Sequence, residues 1–299
     1  MSRVFLLIPH LKIHNANAMS SPFTIGFPAM TAWMGAMHAL QRQLQATGLS
    51  NISFTKLAVS CHQLDLQAFK GRGDYVYSIV GTGNPLDKDG NRPAFIEEAR
   101  CHLEVSLLFE IEGFDIDDKE KLLKVSNQLI MTMKFASGDV QQVEACQLLF
   151  FDTDADSPKQ ELKKVTNALM LGNVLIERKD LMVSSMNEGL DAIDALLDHL
   201  TVNVQATEEK STDGKYLWQS SRKTAGWIVP VAVGFQGISD LSSVPILNQR
   251  DQETPHRFAE SIVTLGEFIL PYRAKKIDDI LWEYDTDLSN DLYLCRNQL

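Results

Sequence analysis

Apolar residues near the start of the chain follow the two periods that distinguish strands from helices. Residues 4–8 form a short apolar stretch that includes β-branched side chains, which predicts a strand. Residues 31–46 repeat apolar side chains at helical spacing, and Thr31 and Gly48 are residue types favoured at the start and just after the end of a helix. This predicted helix carries one apolar stripe, formed by Trp33, Met37, Leu40 and Leu44.

The same patterns predict four further elements before residue 155. They are strands over residues 52–66, 103–109 and 143–151 and a helix over residues 117–134. The resulting order is strand, helix, strand, strand, helix, strand. This is the order of the ferredoxin-like split βαβ fold, which the RNA-recognition motif shares. We therefore predict the α+β class, with residues 1–155 forming a modified RNA-recognition-motif body.

Residues 70–100 interrupt this pattern between the second and third strands. Residues 75–80 have strand character, and residues 84–90 are rich in turn-forming residues. The segment therefore predicts a protruding hairpin. Its positive charges could clamp a single-stranded nucleic acid, or they could be exposed charge with no further role. They are Lys70, Arg72, Arg92 and Arg100.

The pattern after residue 155 is mixed. It predicts helices over residues 158–200 and 256–270, a polar loop over residues 205–215 and a strand over residues 227–235. The first helical stretch breaks near Gly172, and Pro271 ends the second. We interpret residues 156–299 as a C-terminal α/β extension packed on the body.

Composition is compatible with a large core and excludes little. The chain has 299 residues, of which 44% are hydrophobic. The first apolar stretch stops at Pro9 and His10, far short of the roughly 18–20 residues that cross a membrane, so we expect a cytoplasmic protein without membrane contact. Four widely spaced cysteines are expected to be buried and reduced. They are Cys61, Cys101, Cys146 and Cys295.

The net charge of −11 argues against binding a polyanion, but the charge is unevenly distributed. Residues 101–214 are strongly acidic, whereas residues 1–100 and 215–276 carry a small positive excess. Because nucleic-acid binding depends on local potential, the total does not exclude it. The acidic part could instead face a basic protein partner or simply keep the chain soluble.

Motifs for catalysis, metals or cofactors are weak. Four residues have the spacing of a calcium-binding loop, namely Asp87, Asp89, Asn91 and Glu98. Arg92 occupies the position that requires glycine, so a hairpin turn is the better interpretation. In the pairs Cys61-His62 and Cys101-His102, adjacent strand residues point to opposite faces, which argues against a shared zinc ion. We expect no metal, no cofactor and no catalytic motif.

Two groups of residues could contact RNA. His38 and Arg42 lie four residues apart on the first predicted helix, off its apolar stripe. They could bind phosphate, they could serve as base and charge stabiliser in RNA cleavage, or they could have no role beyond solvation. The second group is a polar segment suited either to reading RNA or to ordinary turns. It comprises Asn15, Asn17, Ser20 and Ser21.

Further cations lie near aromatic residues in the C-terminal part. Arg222 precedes Trp227, a residue we expect in the core rather than on a base-stacking surface. Arg250 and Arg257 flank His256. All three arginines are candidate RNA contacts.

Several unusual strings occur in one order along nearly the whole chain. They are residues 11–22 (LKIHNANAMSSP), 26–28 (GFP), 38–42 (HALQR), 84–86 (NPL), 89–90 (DG), 100–108 (RCHLEVSLL), 226–230 (GWIVP), 250–258 (RDQETPHRF) and 265–268 (LGEF). Together they resemble the family of second Csy subunits of type I-F CRISPR systems. That family is the Cas-five-type branch of the repeat-associated RNA-binding superfamily.

This resemblance implies a fold and a role that the residue patterns alone do not establish. It implies a modified RNA-recognition fold with a hairpin thumb, here at residues 70–100, that binds the 5′ handle of the CRISPR RNA. The implied partners are that RNA, the large Csy subunit and the terminal backbone Csy subunit, with target DNA reached at most indirectly. It places residues 15–21 and the helix of His38 and Arg42 near the handle.

Three interpretations remain open at this point. The preferred one is a non-catalytic RNA-binding subunit of the surveillance complex that defends against foreign DNA. The alternative is a metal-independent endoribonuclease of the same superfamily, with His38 activating a 2′-hydroxyl. The third is a pure protein scaffold, which the acidic middle of the chain favours.

Overall fold

The computed structural model is an α+β fold dominated by one large antiparallel sheet. It describes residues 2–81, 85–92, 98–154, 157–210, 216–242, 246–247, 249 and 251–297. The strands are β1 (Ser2–Asn17), β2 (Met19–Ser21), β3 (Thr24–Ile25), β4 (Ser53–Leu66), β5 (Ala68–Phe69), β6 (Ser78–Ile79), β7 (Arg100–Glu112), β8 (Lys134–Phe135), β9 (Gly138–Gln142), β10 (Gln147–Asp152), β11 (Asn173–Glu177), β12 (Asn203–Lys210), β13 (Tyr216–Ser221), β14 (Trp227–Gly237), β15 (Ala259–Ile269), β16 (Trp282–Asp287) and β17 (Leu292–Asn297). The α-helices are α1 (Met30–Ala46), α2 (Lys119–Ile130), α3 (Pro158–Ala168), α4 (Lys179–Asn187) and α5 (Ala192–Leu200).

Four long strands of the first 152 residues form the centre of the sheet. They lie in the order β10, β1, β7, β4, and each is antiparallel to its neighbour. Helices α1 and α2 cover one face and share its core. The predicted apolar stripe of α1 is confirmed, because Trp33, Met37, Leu40 and Leu44 are all fully buried.

The first strand is much longer than predicted. Asn15 and Asn17, for which turns were one expectation, belong to the strand, since β1 continues to Asn17 and β2 and β3 form a small hairpin after it. Two β-bulges let the strand pass the residues that suggested a break, with shifts of register between Ile8 and Leu11 and between Ile13 and Ala16. His10 and Asn15 take positive φ angles of 46° and 57° at these bulges.

The C-terminal strands extend the same sheet and close it on itself. One edge of β4 pairs with β7, and the other edge is shared, with Leu57 opposite Trp282 of β16 and Ser60 opposite Val174 of β11. From there β11 pairs with β15, β15 with β14, β14 with β17, and β17 with β16. These six strands therefore form a closed circuit, and one sheet runs through residues 1–155 and 156–299.

Three secondary-structure predictions in the C-terminal part are wrong. Residues 256–270, predicted as a helix, contain β15, and the predicted loop at 205–215 overlaps β12. β11 lies within the predicted helical stretch 158–200. The β-branched run Ile262-Val263-Thr264 favours a strand. At Gly266 a Cβ atom would lie only 2.6 Å from Val231, so β15 needs this glycine to pack closely on β14.

The segment at residues 70–100 contains little regular structure among its described residues. β5 pairs with β6 through two residue pairs, so the predicted strand over 75–80 is reduced to Ser78–Ile79. Tyr75, Val76 and Tyr77 before it are largely exposed. A protruding thumb over the whole segment stays a prediction.

The described residues bear on two expectations, one about the cysteines and one about membrane-spanning segments. The four cysteines are free and buried, as predicted, and burial raises the pKa of each thiol to about 12. Among the described helices, none is long and apolar enough to cross a membrane.

Trp282 lies where the edge of β4 divides between two strands. Its indole is fully buried, and Nε1 donates a hydrogen bond of 2.8 Å to the carbonyl of Leu175 in β11. Trp282→Phe leaves that carbonyl without its partner and leaves part of the indole volume empty. We expect a loss of about 2 kcal/mol in the free energy of unfolding, measured by urea denaturation.

Trp218→Phe is the matched control, since Trp218 is 70% exposed on β13. Its effect should stay within about 0.5 kcal/mol. Equal losses in the two variants would contradict a special role for Trp282.

Candidate nucleic-acid interface

The exposed face of α1 carries an arginine and a histidine but no carboxylate. The 17 residues of this helix include no Asp or Glu, although the whole chain has a net charge of −11. His38 and Arg42 are both exposed and lie one helical turn apart. The helix packs against β4, β14 and β17, where the body strands meet the C-terminal strands.

Two tyrosines lie beside this part of α1. The ring of His38 lies 5.4 Å from that of Tyr284, which in turn lies 5.3 Å from that of Tyr293. The pKa of Tyr284 is raised, chiefly by burial and then by a hydrogen bond with Tyr293. The positive charge of Arg42 acts in the opposite direction. Nothing in the local sequence pattern marks either tyrosine.

Arg257, another predicted contact, lies at the end of β14. Its Nη1 forms an ion pair with Asp291, and a Cβ atom on Gly237 would lie 2.7 Å from the same nitrogen. The guanidinium therefore lies close to the backbone at the end of the strand. Arg222 is exposed just after β13, and Arg250 lies outside the described residues.

Asn15 and Arg100 meet at the second bulge of β1. Arg100 donates a hydrogen bond of 3.4 Å from Nη1 to the carbonyl of Asn15, and it also pairs with Glu98. The backbone N–H of Asn15 donates to Nδ1 of His102 at 3.1 Å. These contacts leave the amide side chain of Asn15 exposed at the surface.

The other predicted polar residues of this segment are engaged within their own turn. The amide of Asn17 both donates to and accepts from the backbone of Met19. The hydroxyls of Ser20 and Ser21 each form a hydrogen bond with Thr24, at 2.8 and 2.7 Å. Ser21 is also buried. RNA contacts by these three side chains stay a prediction, and turn chemistry already accounts for their residue types.

Four of the seven histidines lie on the sheet face opposite α1, which the sequence analysis did not predict. The rings of His10 and His62 stack at 4.4 Å, and those of His14 and His102 stack at 4.0 Å. The only local signal was the alternation in Cys61-His62 and Cys101-His102, which turns each cysteine into the core and each histidine outward.

Each pair of stacked rings lies at a bulge of β1. At each bulge a side chain of β7 accepts a hydrogen bond from a backbone N–H of β1. The N–H of His10 donates to Oγ of Ser106 at 3.1 Å, just as that of Asn15 donates to His102. The same hydroxyl forms a hydrogen bond of 2.7 Å with Nε2 of His62. The pKa of His62 is lowered, chiefly by burial, which favours the neutral ring.

Charges around these histidines are mixed. His10 forms a hydrogen bond of 2.7 Å with Glu104, and this bond is the main reason why the pKa of Glu104 is lowered. Burial lowers the pKa of His62, and the nearby His10 lowers it further, whereas Glu104 and Glu144 act against them. The histidine face therefore has no single sign of charge, and we interpret it as support for β1.

The cations of the segment at 70–100 are exposed. Nζ of Lys70 lies 5.5 Å from the ring centre of Tyr77, within the range of a cation–π contact. Arg72 and Arg92 are exposed, and Arg92 follows a tight turn in which Asp87 accepts hydrogen bonds from the backbone of Asp89 and Asn91. That turn accounts for the calcium-like spacing.

Trp227 does not lie in the core as expected. It is 51% exposed, and its ring lies 5.0 Å from that of Phe268. The expectation failed because Trp227 is the first residue of β14, at the margin of the sheet, where only one side of the indole is covered.

A serine and a histidine form a second arrangement that the sequence did not reveal. Oγ of Ser185 lies 3.0 Å from Nε2 of His199 and donates to Asp198 at 3.0 Å. Lys223 joins the same cluster. Ser185 is fully buried and His199 nearly so, so no substrate can reach the hydroxyl. The cluster fastens α4 to α5.

Comparison with known proteins covers almost the whole chain. Residues 6–295 match the family model for CRISPR-associated protein (Cas_Csy2). The chain is 32% identical over 310 residues to CRISPR-associated protein Csy2 of Pseudomonas aeruginosa (strain UCBPP-PA14), a match that covers 96% of this chain and 93% of that relative. The similarity therefore extends over both the body and the C-terminal strands.

The lowered pKa of His62 predicts a dependence of stability on pH. Between that lowered pKa and the ordinary value near 6.5, the unfolded chain binds more protons than the folded one. The contribution of His62 is therefore complete above about pH 6.5 and decreases as the pH falls below it. His62→Gln removes this contribution, so the stability difference between the parent and the variant should shrink on acidification from pH 7.5.

Urea denaturation across this pH range measures the effect, and Gln63→Ala is the control. Gln63 is the exposed neighbour and does not titrate, so its curve should run parallel to that of the parent chain. A His62→Gln curve that is also parallel would show that His62 is not held neutral.

Proposed function

The chain belongs to the Csy2 family of CRISPR-associated proteins, which makes it a subunit of a type I-F Csy complex, and we propose that it holds the 5′ handle of the guide RNA without acting as an enzyme. In this role it is the Cas-five-type member of the complex. The observation that carries the proposal is the carboxylate-free face of α1 with His38 and Arg42, on an otherwise acidic chain.

The order of the central strands supports an RNA-recognition type of body. β10, β1, β7 and β4 have the neighbours and directions of a split βαβ sheet, with α1 and α2 on one face. Proteins of this class commonly bind single-stranded RNA. Within the proposal, residues 70–100 act as the thumb.

Local electrostatics support RNA binding better than the total charge suggests. Potential at a surface site is set by charges within roughly one Debye length, about 8 Å at physiological ionic strength. His38 and Arg42 meet no carboxylate on their own helix. Arg100, at the β1 bulge that carries the His14–His102 stack, is proposed as a separate RNA contact.

The proposed partners follow from the family. We propose that the chain pairs with the large Csy subunit and contacts the terminal backbone subunit, in the cytoplasm, with target DNA reached only indirectly. The acidic excess of residues 101–214 supports a protein partner with basic side chains in that region, because like charges would repel RNA there.

One experiment distinguishes the endoribonuclease alternative from this proposal. The purified chain is incubated with labelled repeat RNA in the absence of the other subunits. Cleavage that disappears in His38→Ala would replace the proposed role by that of an enzyme. Intact RNA together with binding supports the non-catalytic role.

Arg42→Ala tests the handle-holding role directly. Loss of a charged hydrogen bond to phosphate should weaken binding of a handle RNA about tenfold, measured by fluorescence anisotropy. Lys159→Ala on α3 is the control, because it removes the same charge from an exposed position on the other side of the sheet. Equal weakening in both variants would mean that only the total charge matters, and the proposal would fail.

A further inference from the structure

Three aromatic residues from three neighbouring strands form a continuous exposed surface beside α1. Phe235 of β14 lies directly opposite Tyr293 of β17, whose ring lies 5.3 Å from that of Tyr284 of β16. Residues opposite each other on neighbouring strands point to the same face, with Cβ atoms about 5 Å apart. We call this surface, formed by Phe235, Tyr284 and Tyr293, the aromatic ledge.

Two features show that the ledge is more than the margin of the core. Phe235 is 43% exposed and Tyr293 40% exposed, although both are large aromatic rings on regular strands. Tyr284 beside them is half-buried, and its ring lies 5.3 Å from that of Tyr293. The ledge therefore presents aromatic surface to solvent on regular strands of the sheet.

Arginines lie towards both ends of the ledge. At one end the ring of His38 lies 5.4 Å from that of Tyr284, and Arg42 lies one helical turn after His38 on α1. At the other end is Arg257, because Gly237, whose missing side chain would meet Arg257, lies two residues after Phe235 and so faces the same side. The nearby carboxylate of Asp291 is already paired with Arg257.

Rings flanked by cations match the chemistry of single-stranded nucleic acid. Bases stack on aromatic side chains, while arginines contact the phosphates on either side. A protein partner would need acidic groups for the two arginines and an apolar group for the rings, whereas one nucleotide segment supplies both. The phenol groups can also form hydrogen bonds with ribose or base edges.

We propose that the aromatic ledge is a stacking site for an unpaired RNA base, with Arg42 and Arg257 contacting the flanking phosphates. This inference rests on the proposed handle-binding function and adds residues to it that neither motif nor family similarity assigns. It also gives Arg257, 215 positions after Arg42 in the sequence, a place on the same RNA surface.

The test combines affinity with salt dependence. The full-length chain is titrated with a fluorescent RNA of handle sequence at several KCl concentrations. Phe235→Leu combined with Tyr293→Leu keeps apolar bulk, and hence folding, but removes the stacking faces. We expect at least a tenfold weaker affinity with an unchanged salt slope, since stacking releases no counterions.

Two further variants complete the experiment. Tyr293→Phe keeps the ring and should bind RNA within about twofold of the parent chain. Arg42→Ala should weaken binding and reduce the salt slope by about 0.7, the value for one phosphate contact on a single strand. A double-leucine variant with parental affinity overturns the ledge as a base site, even if Arg42→Ala behaves as expected.

The outcomes separate the two proposals. If neither Arg42→Ala nor the double-leucine variant changes affinity, the handle-binding function itself is contradicted. If the double-leucine variant keeps its RNA affinity but no longer assembles with the other Csy subunits, the ledge is a protein contact and the inference is wrong.

Discussion

The sharing of one edge of β4 between β11 and β16 is the constraint on which the rest of the structure depends. A strand edge offers a fixed series of N–H and C=O groups, so two strands can use it only at different residues. Here Leu57 serves β16, while Ser60 and Cys61 serve β11. The point of division would leave a gap, and Trp282 fills it with a buried indole bonded to Leu175. Closing the circuit of six strands removes exposed edges that could pair with other chains.

This closure also positions the candidate interface. Because β16 and β17 are drawn back to β4, they pass under α1 instead of extending the sheet away from it. Tyr284 and Tyr293 are thereby carried to the exposed side of a helix that precedes them by about 240 residues in the chain. On the sheet face opposite α1, side chains of β7 accept hydrogen bonds from backbone N–H groups at both bulges of β1. A strand of 16 residues can then curve without leaving buried donors unpaired.

Features set by consecutive residues could be predicted from the sequence, whereas features set by pairing between distant strands could not. The stripe of α1 was predicted correctly, because helical spacing is written in consecutive residues and its partners need not be known. β15 was mistaken for a helix, since its central position in the closed circuit depends on β11 and β14, which lie elsewhere in the chain. The alternation of Cys61 and His62 predicted two faces correctly, but not that His62 would meet His10. The aromatic ledge could not be predicted at all, because Phe235, Tyr284 and Tyr293 become neighbours only through strand pairing.

The proposed RNA binding is compatible with the acidic total charge of the chain. Many carboxylates form ion pairs within the chain. Arg3 pairs with both Glu110 and Asp278, and Arg296 pairs with Asp285. More than half of the carboxylates lie within residues 101–214, and α1 contains none. Repulsion from that region would lower non-specific binding of RNA elsewhere on the surface, while the carboxylate-free helix stays attractive. An uneven acidic charge can therefore increase the selectivity for one binding surface, at the expense of the long-range attraction that a uniformly basic protein would have.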